Sequence, residues 1–401
     1  MKNKKVTEWA PVIGGAVVAL VIFTGLFRAG DVDDAESYPA SRRVPKGYER
    51  MEDDRSFSSL VSSSLPSAPF SSSAVSASSS ITNTEGLPHE YKLGRRPSRD
   101  WDAERKIWLS NHSQRNHADS SSPRLFMLTG SQPEPCPAEQ GDHLLLKSFK
   151  NKVDYCMLHG VQMYYNTAIL DENMDGFWSK LPLIRAAMEA HPEADWFWWV
   201  DSDLVITDMA FEIPLHEYGD YNLVVHGWES EVFEKKSVLG LNAGSFLLRN
   251  CAWSFRFMDR WASMGPKGRI RTLSGRIQSA FLTDRSPNDP GDDQSALVYF
   301  MIKERRTWGD KILLERRYNL NGYWLDLVGE LLDNRTTAPP FVTHFSGCQP
   351  CSGNHNPNYG KQQCRNAMEL ALNFADNQVL KSLGFRHCTL NSLNVEPLIS
   401  V

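Results

Sequence analysis

A wholly apolar segment that ends in two carboxylates limits the folds open to this chain more than any other part of its sequence. Residues 196–200 are Trp-Phe-Trp-Trp-Val, and Asp201-Ser202-Asp203 follows them directly. A short apolar run of this kind is typical of a strand buried on both faces of a sheet. A solvated turn is the alternative for the acidic pair, but unpaired carboxylates are costly to bury, and the flanking apolar residues favour a cationic partner. Asp201 and Asp203 can both approach one divalent cation, which prefers oxygen ligands and keeps positions open for phosphate oxygens.

The pattern around this strand predicts an α/β fold. Further strands are expected at 125–128, 161–165, 222–225 and 245–248, and helices at 180–191, 253–261 and 294–303. Ser179 is the expected N-cap of the first of these helices. Strands that alternate with helices indicate a sheet covered by helices, in which ligands bind beyond the carboxyl ends of strands.

A second acidic cluster, Gly291-Asp292-Asp293-Gln294-Ser295, opens the last predicted helix. Acidic residues at this place often cap a helix, and one carboxylate suffices for that. In a catalytic role, Asp292 or Asp293 would face the reacting atoms of a substrate, with Gln294 as a hydrogen-bond donor. The residues alone leave both interpretations open.

His344 ends a short predicted strand, Phe341-Val342-Thr343-His344, and precedes a turn that contains glycine. A histidine in a strand is commonly a satisfied core residue. If the turn brings it to Asp201 and Asp203, its imidazole is a candidate third metal ligand.

The chain has seven cysteines, and four of them lie between residues 348 and 388. These four, Cys348, Cys351, Cys364 and Cys388, suit either a structural zinc site or disulfides. We expect disulfides, because the spacing is short for a zinc ribbon and the compartment predicted below is oxidising. The odd number leaves one thiol over or makes an intermolecular link.

The N-terminus predicts entry into the secretory pathway. Residues 9–27 carry no charge and are long enough for one membrane-spanning helix, with lysines before them and acidic residues after them. A cleaved signal peptide is the alternative. We expect a cytosolic tail at 1–8, an anchor at 9–27, a flexible serine-rich stem at 28–120 and a luminal catalytic domain at 121–401. Asn111 and Asn334 begin sequons for N-glycosylation. The net charge of −5 argues against a nucleic-acid partner.

From about residue 124 to 385 the chain resembles the plant family 34 glycosyltransferases. The segments that carry the resemblance are WFWWVDSDLVITDM, NLVVHGWE, LNAGSFLLRNCAWS, GDDQSALVYFM, THFSGCQPCSGNHNPNY and MELALNFADNQVLKSLGF. The resemblance implies a GT-A fold (a Rossmann-like nucleotide-sugar-binding domain), a UDP-sugar donor, Mn²⁺, retention of anomeric configuration and a single-pass anchor in the Golgi membrane.

The resemblance also assigns roles to residues. It implies that Asp201, Asp203 and His344 bind the metal, that Gly130 and Ser131 contact uridine, and that Ser202 lies by the ribose. The positions that line the donor sugar and the reaction centre are Lys180, Asn242, Asp292, Asp293 and Gln294. Gly347 lies by the diphosphate. Gln349 takes the place of a lysine found in the xylosyltransferase branch, so a diphosphate contact is either lost or made by Gln349.

Within this family the segments 226–229 and 349–357 look closer to galactomannan galactosyltransferases than to xyloglucan xylosyltransferases. The expected activity is therefore transfer of α-1,6-linked galactose from UDP-galactose to a β-1,4-mannan, with UDP-xylose transfer to a β-1,4-glucan as the alternative. A third possibility is a non-catalytic partner in a Golgi polysaccharide synthase complex. The basic segment 264–290 is expected to be a loop that contacts the acceptor or, in a homodimer, a second copy.

Overall fold

The computed structural model describes residues 87–88, 91–94, 100–112, 123–332 and 338–398. The predicted cytosolic tail and membrane anchor lie outside these residues, as do most of the predicted stem and Asn334. Within the part of the chain that is described, no helix is long and apolar enough to cross a membrane.

Helices and strands alternate through most of the described chain. The strands are β1 (Leu125–Gly130), β2 (Gln162–Asn166), β3 (Trp196–Val200), β4 (Leu204–Ile206), β5 (Leu223–Gly227), β6 (Leu241–Arg249), β7 (Ile312–Glu315), β8 (Gly322–Tyr323), β9 (Val342–His344), β10 (Phe385–His387) and β11 (Val395–Pro397). The α-helices are α1 (Trp101–Asn111), α2 (Gly141–His159), α3 (Lys180–Ala190), α4 (Ala252–Ala262), α5 (Arg269–Phe281), α6 (Asp293–Lys303), α7 (Arg305–Trp308), α8 (Trp324–Leu327) and α9 (Lys361–Leu380).

The central sheet is mixed, with the strand order β2-β1-β3-β6-β5-β7. Strand β6 runs antiparallel to both of its neighbours, and the other adjacent pairs are parallel. The carboxyl ends of β1, β3 and β5 therefore meet at one edge of the sheet, together with the beginning of β6. This arrangement confirms the predicted α/β class.

Strand β3 is buried on both faces and lies between two apolar cores. All five of its residues are buried, and they alternate between two apolar cores. Phe197 and Trp199 pack in the core that contains side chains of α3, α4 and α6, and Trp198 packs in the core that contains those of α2 and α9. Each large apolar side chain that is fully buried contributes about 1.5–3 kcal/mol of transfer free energy.

A smaller sheet places β4 next to β9, and β9 next to β8. The pairing of β4 with β9 is antiparallel and sets Leu204 opposite His344. Because Leu204 directly follows Asp203, this pairing places His344 beside Asp201 and Asp203.

Structure begins earlier in the chain than predicted. Helix α1 lies within 28–120, for which the sequence predicts a flexible stem. Its first residue, Trp101, is buried and donates from Nε1 to Oδ1 of Asn250 at 2.8 Å. Arg105 pairs with Asp195 at 2.6 Å, so the helix is fixed to the sheet domain. Asn111, the first predicted glycosylation residue, is exposed at the last position of α1.

Two local predictions are wrong in part. The segment 264–290 is not a loop throughout, because α5 occupies its middle and buries Ser274, Ile277 and Gln278. Ser179 occupies the N-cap position of α3 as expected, but its side chain does not cap the helix, because a 3-10 turn at Gly176–Ser179 runs into the helix and holds this serine in helical backbone geometry. Its hydroxyl donates to the carbonyl of Gly176 at 2.8 Å instead.

The cysteines form disulfides rather than a zinc site. Cys136 is bonded to Cys351, and Cys348 to Cys364. The expectation is confirmed for three of the four C-terminal cysteines and wrong for Cys388, which is free. Cys156 and Cys251 are also free, so three thiols remain rather than one.

Candidate active site

The three predicted metal ligands lie together at the edge of the sheet. Asp201 follows β3, Asp203 precedes β4 and His344 ends β9. One ligand atom from each of them lies within 4.8 Å of the others. The Nε2 atom of His344 is 3.3 Å from Oδ1 of Asp203 and 4.0 Å from Oδ2 of Asp201. The backbone holds this geometry, since the amide of Phe345 donates to the carbonyl of Asp203 at 3.1 Å.

The electrostatics of the cluster suit a cation. Burial opposes the charged form of His344, but the carboxylates of Asp203 and Asp201 outweigh it and raise the histidine pKa. Burial likewise opposes ionisation of Asp203, but the imidazole outweighs it and lowers the pKa of that carboxyl. Two carboxylates around one imidazole form a donor set that suits a divalent metal ion with open coordination positions.

A chain of amides behind His344 fixes the orientation of its ring. The backbone amide of Gly244 donates to Oδ1 of Asn242 at 2.8 Å, which marks that atom as an acceptor. Nδ2 of Asn321 donates to the same atom at 2.8 Å. Oδ1 of Asn321 must then face Nδ1 of His344, 2.8 Å away, and it accepts the proton on that nitrogen. Nε2 therefore faces Asp201 and Asp203, in position to offer its lone pair to a bound metal ion.

Glycine at position 244 allows the imidazole to sit against β6. A Cβ atom added there would lie 2.3 Å from Cε1 of His344. Gly244 and Asn321 were not predicted as site residues, because no local pattern shows which residues meet a distant histidine.

Lys180 and Asp293 form a buried ion pair beside the cluster. The Nζ atom of Lys180 is 2.8 Å from Oδ2 of Asp293 and 3.6 Å from Oδ1 of Asp201, and it donates to the carbonyl of Ala243 at 3.0 Å. Burial raises the pKa of Asp293 to about 6, although the charge of Lys180 acts in the opposite direction. Burial lowers the pKa of Lys180, but Asp201 and Asp293 outweigh it, and the net shift is upward. Asp293 is therefore ionised at neutral pH and protonated in mild acid.

Asp292 and Gln294 make structural contacts on either side of Asp293. Asp292 is the N-cap of α6 and accepts from the amide of Ser295 at 2.7 Å, and its other carboxylate oxygen pairs with Arg285. The capping interpretation thus describes Asp292, and Asp293 is the acid that faces the cluster. Gln294 donates to the carbonyl of Val238 at 2.9 Å and accepts from the amide of Ala243 at 3.2 Å, which fixes the start of β6.

A buried lysine is hydrogen-bonded to the chain segment that contains Asp201 and Asp203. Nζ of Lys152, on α2, donates to Ser148 Oγ and to the carbonyl of Leu204, each at 2.7 Å. Ser148 Oγ donates to the carbonyl of Ser202 at 2.6 Å. Burial lowers the pKa of Lys152 to about 7, against the charges of Asp203 and Asp201. Helix α2, which carries this lysine, was not among the helices predicted from the sequence.

The residues predicted to hold uridine lie by an open cleft. Gly130 ends β1, and an added Cβ would lie 2.4 Å from the carbonyl oxygen of Asn166, so the two strands approach closely here. The cleft has a volume of about 640 Å³, and Ser131, Phe149 and Tyr165 are among the residues that line it. Tyr165 donates to Ser131 Oγ at 2.8 Å.

The predicted diphosphate loop is tied to the same region. Gly347 has φ +80°, and an added Cβ would lie 2.2 Å from the hydroxyl of Tyr359, so glycine is required there. Gln349 is exposed at φ +40°, and its side chain accepts from Ser352 Oγ at 3.0 Å. The disulfide between Cys136 and Cys351 joins this loop to the loop that follows β1. The structure thus brings most of the predicted site residues to one edge of the sheet, while their contacts with donor, acceptor and metal stay predictions.

Comparison with known proteins identifies the family to which this chain belongs. Residues 121–355 match the profile of the family described as the galactosyl transferase GMA12/MNN10 family. Probable glycosyltransferase 5 of Oryza sativa subsp. japonica is 49% identical over 312 residues, which cover 76% of this chain and 69% of that protein. Xyloglucan 6-xylosyltransferase 1 of Arabidopsis thaliana is 48% identical over 316 residues, which cover 77% of this chain and 68% of that protein.

Two solved structures show a distant likeness. A glycosyltransferase involved in the glycosylation of the major capsid of PBCV-1 has 15% identity and a TM-score of 0.40, covering 62% of this chain and 100% of that one. The galactosyltransferase LgtC, in complex with donor and acceptor sugar analogs, has 11% identity and a TM-score of 0.28, covering 60% of this chain and 94% of that one. Neither likeness bears on the site or the substrate. By its family profile and its plant relatives, the chain is a glycosyltransferase and belongs to glycosyltransferase family 34, the galactosyl transferase GMA12/MNN10 family.

Proposed function

We propose that this chain is a retaining, Mn²⁺-dependent transferase with a GT-A fold that moves xylose from UDP-xylose in α-1,6 linkage onto a β-1,4-glucan. The observation that carries the metal-dependent transfer is the meeting of Asp201, Asp203 and His344 at the sheet edge, beside the Lys180–Asp293 pair. The choice of xylose follows relatives of 48% identity that are named xyloglucan 6-xylosyltransferases. It reverses the order expected from the sequence, in which galactose transfer to mannan came first.

In this proposal, Asp201, Asp203 and His344 hold the metal ion, and the cleft lined by Ser131 and Tyr165 accepts the nucleoside. The bound ion supplies positive charge to the diphosphate of the donor. The bond between the anomeric carbon and the diphosphate oxygen breaks, and the primary hydroxyl of the acceptor bonds to that carbon from the same face. The departing diphosphate oxygen takes the hydroxyl proton, so the reaction requires no separate protein base.

Lys180 and Asp293 have complementary parts in this scheme. Nζ of Lys180 lies 2.8 Å from the carboxylate of Asp293 and 3.6 Å from that of Asp201, so it holds these two side chains in position. Asp293, ionised above about pH 6, places a negative charge near the sugar as positive charge develops on its ring. A covalent intermediate on Asp293 is the less favoured alternative.

We also propose that the protein acts in the Golgi lumen, held by a single-pass anchor at 9–27. Two disulfides support an oxidising compartment, where such bonds persist. Fusion of residues 1–40 to a reporter would test the anchor. Recovery of the reporter in a soluble secreted form would contradict it.

Galactose transfer from UDP-galactose to a β-1,4-mannan is the second candidate. The observation in its favour is Gln349, which stands exposed in the diphosphate loop where the xylosyltransferase branch is expected to carry lysine.

Donor and acceptor specificity can be tested together. The full-length protein would be incubated with Mn²⁺ and either UDP-xylose or UDP-galactose, each with cellohexaose or mannohexaose, and the products measured by mass spectrometry. The proposal predicts a pentose increment on cellohexaose. A hexose increment on mannohexaose alone would instead establish the second candidate. No product from any pairing, with an intact fold and bound Mn²⁺, would favour a non-catalytic partner in a synthase complex.

A further inference from the structure

The parts of the proposed site follow one another along the edge of the main sheet. The nucleoside cleft lies by the end of β1, the metal ligand Asp201 follows β3, and Asn242, predicted to line the donor sugar, is the second residue of β6. In the proposed function, the donor would therefore extend along this edge from its uridine, by β1, to its sugar, by β6. The next strand in this direction is β5, so an acceptor that approaches the donor sugar from this side would lie by the end of β5.

Trp228 directly follows the last residue of β5. Its backbone amide donates to the carbonyl of Gly240 at 2.8 Å, and Gly240 lies two residues before Asn242 in the chain. Adjacent strands are about 4.8 Å apart, so two strand spacings place the end of β5 roughly 10 Å from the end of β3. That separation is on the scale of a disaccharide.

The indole of Trp228 is exposed to an unusual degree. It is 44% accessible, and no other tryptophan in the described residues is as exposed. Leu239, in the 3-10 turn before β6, is also exposed. An exposed tryptophan beside a site commonly marks a contact for a ligand that has one apolar face.

The position of this indole is fixed by its surroundings. A Cβ added to Gly227 would lie 2.7 Å from the carbonyl oxygen of Gly240, so the chain can pass here only as glycine. The ring of His226 packs edge-on against Trp228, with centroids 5.0 Å apart. His226 is buried, and burial lowers its pKa to about 4, so it gives the indole a neutral support. A rigid aromatic contact loses little conformational entropy when a ligand binds.

We propose that Trp228 is the stacking platform for the acceptor, on which a pyranose ring of the β-1,4-linked polysaccharide lies while a nearby residue of the same chain receives the sugar. The axial C–H groups of a β-linked pyranose form an apolar face that suits an indole. Glu229 is exposed next to the indole, which favours a neutral polyol over an anion. This inference rests on the proposed function and extends it by naming the acceptor subsite.

Direct binding tests this platform without requiring turnover. The affinity of the full-length protein for cellohexaose and for mannohexaose would be measured by isothermal titration calorimetry in wild type, Trp228→Ala and Trp228→Phe. Phe385→Ala is the matched control, because Phe385 is an aromatic side chain of similar exposure on β10, outside the main sheet. Binding of UDP in the presence of Mn²⁺ checks that the donor site of each variant is intact.

Trp228→Ala should raise the Kd for the preferred oligosaccharide by roughly tenfold or more, because contact with about half of an indole surface is lost. Trp228→Phe should retain most of the affinity, and Phe385→Ala should match wild type. None of the three changes should alter UDP binding.

Three results would overturn the inference. If wild type binds an oligosaccharide and Trp228→Ala binds it equally well, the platform is wrong while the proposed function stands. If wild type binds UDP with Mn²⁺ but neither oligosaccharide, the proposed acceptor class fails along with the platform. If Trp228→Ala leaves oligosaccharide affinity intact and instead changes the oligomeric state, the surface joins two copies of this chain.

Discussion

Replacement of Asn321 with leucine should weaken metal binding without touching any metal ligand. The substitution keeps a side chain of similar size but removes the acceptor for Nδ1 of His344 and the donor to Asn242, both at 2.8 Å. Asn321 and His344 are both buried, so water is not at hand to replace the lost partner. The imidazole is then free to rotate or to change tautomer, and the lone pair on Nε2 is no longer directed at Asp201 and Asp203.

The size of the effect follows from these contacts. A buried hydrogen bond contributes about 1 kcal/mol, and an unsatisfied buried donor costs roughly 1–3 kcal/mol. We expect a loss of about 2 kcal/mol in metal affinity, which is roughly a 30-fold increase in Kd and lies within the range of about 10- to 100-fold found for the partners of metal-bound histidines.

Electron paramagnetic resonance titration of free Mn²⁺ against the full-length variant measures this change without reference to activity. Asn250→Leu is the control, because Asn250 is equally buried and hydrogen-bonded but follows the far end of β6. It should reduce thermal stability and leave the Kd for Mn²⁺ unchanged. Wild-type Mn²⁺ affinity in a folded Asn321→Leu protein would refute the reasoning.

Three further predictions concern other parts of the site. Gly244→Ala should displace His344, since its Cβ would lie 2.3 Å from Cε1 of the ring, and Mn²⁺ titration should show a marked loss of affinity while Asn250→Leu does not. Turnover should fall as the pH drops through about 6, because protonation removes the charge of Asp293. The charge of Lys180 holds the pKa of Asp293 down, so Lys180→Met should move the acidic limb of the pH–rate profile to higher pH. If the limb does not move, it belongs to the titration of another group. Loss of the Cys136–Cys351 disulfide, which closes a loop of 215 residues, should reduce the free energy of unfolding by about 5 kcal/mol. Loss of Cys348–Cys364, which closes a loop of 16 residues, should reduce it by about 3 kcal/mol, and Cys388→Ser should not change it. Equal losses for the two disulfides in chemical denaturation would contradict this chain-entropy account.

The sequence predicted the parts of the fold that local patterns determine. The apolar run before Asp201 is typical of a buried strand, α4 has an apolar face that its spacing shows, and α3 and α6 are apolar along most of their length. Helix α1 was missed because it precedes the rest of the domain after a serine-rich region and is held by contacts of Trp101, Asp102 and Arg105 with residues far along the chain. Helix α5 was missed because its arginines and Gly275 indicate a loop, while its stability depends on contacts with distant residues such as the ion pair of Arg271 with Asp175.

Some residues of the candidate site could likewise be predicted from local patterns, and others could not. Asp201 and Asp203 could be predicted from their place in the chain, because two carboxylates after a buried strand need a partner. The meeting with His344 depends on the pairing of β4 with β9, across about 140 residues of chain, and only the family resemblance indicated it. Asn321, Gly244 and Lys152 carry no local signal. Each is recognised only from what its side chain, or the lack of one, contacts in the folded protein.

The role of the Asp201–Asp203–His344 cluster in sugar transfer is tested most directly by proton NMR of the reaction mixture, comparing wild type with Asp203→Asn. The account predicts that wild type forms a new α-anomeric signal on cellohexaose from UDP-xylose only when Mn²⁺ is present, and that Asp203→Asn, with an intact fold, forms none. Transfer that persists in excess chelator, or that is undiminished in Asp203→Asn, would contradict it.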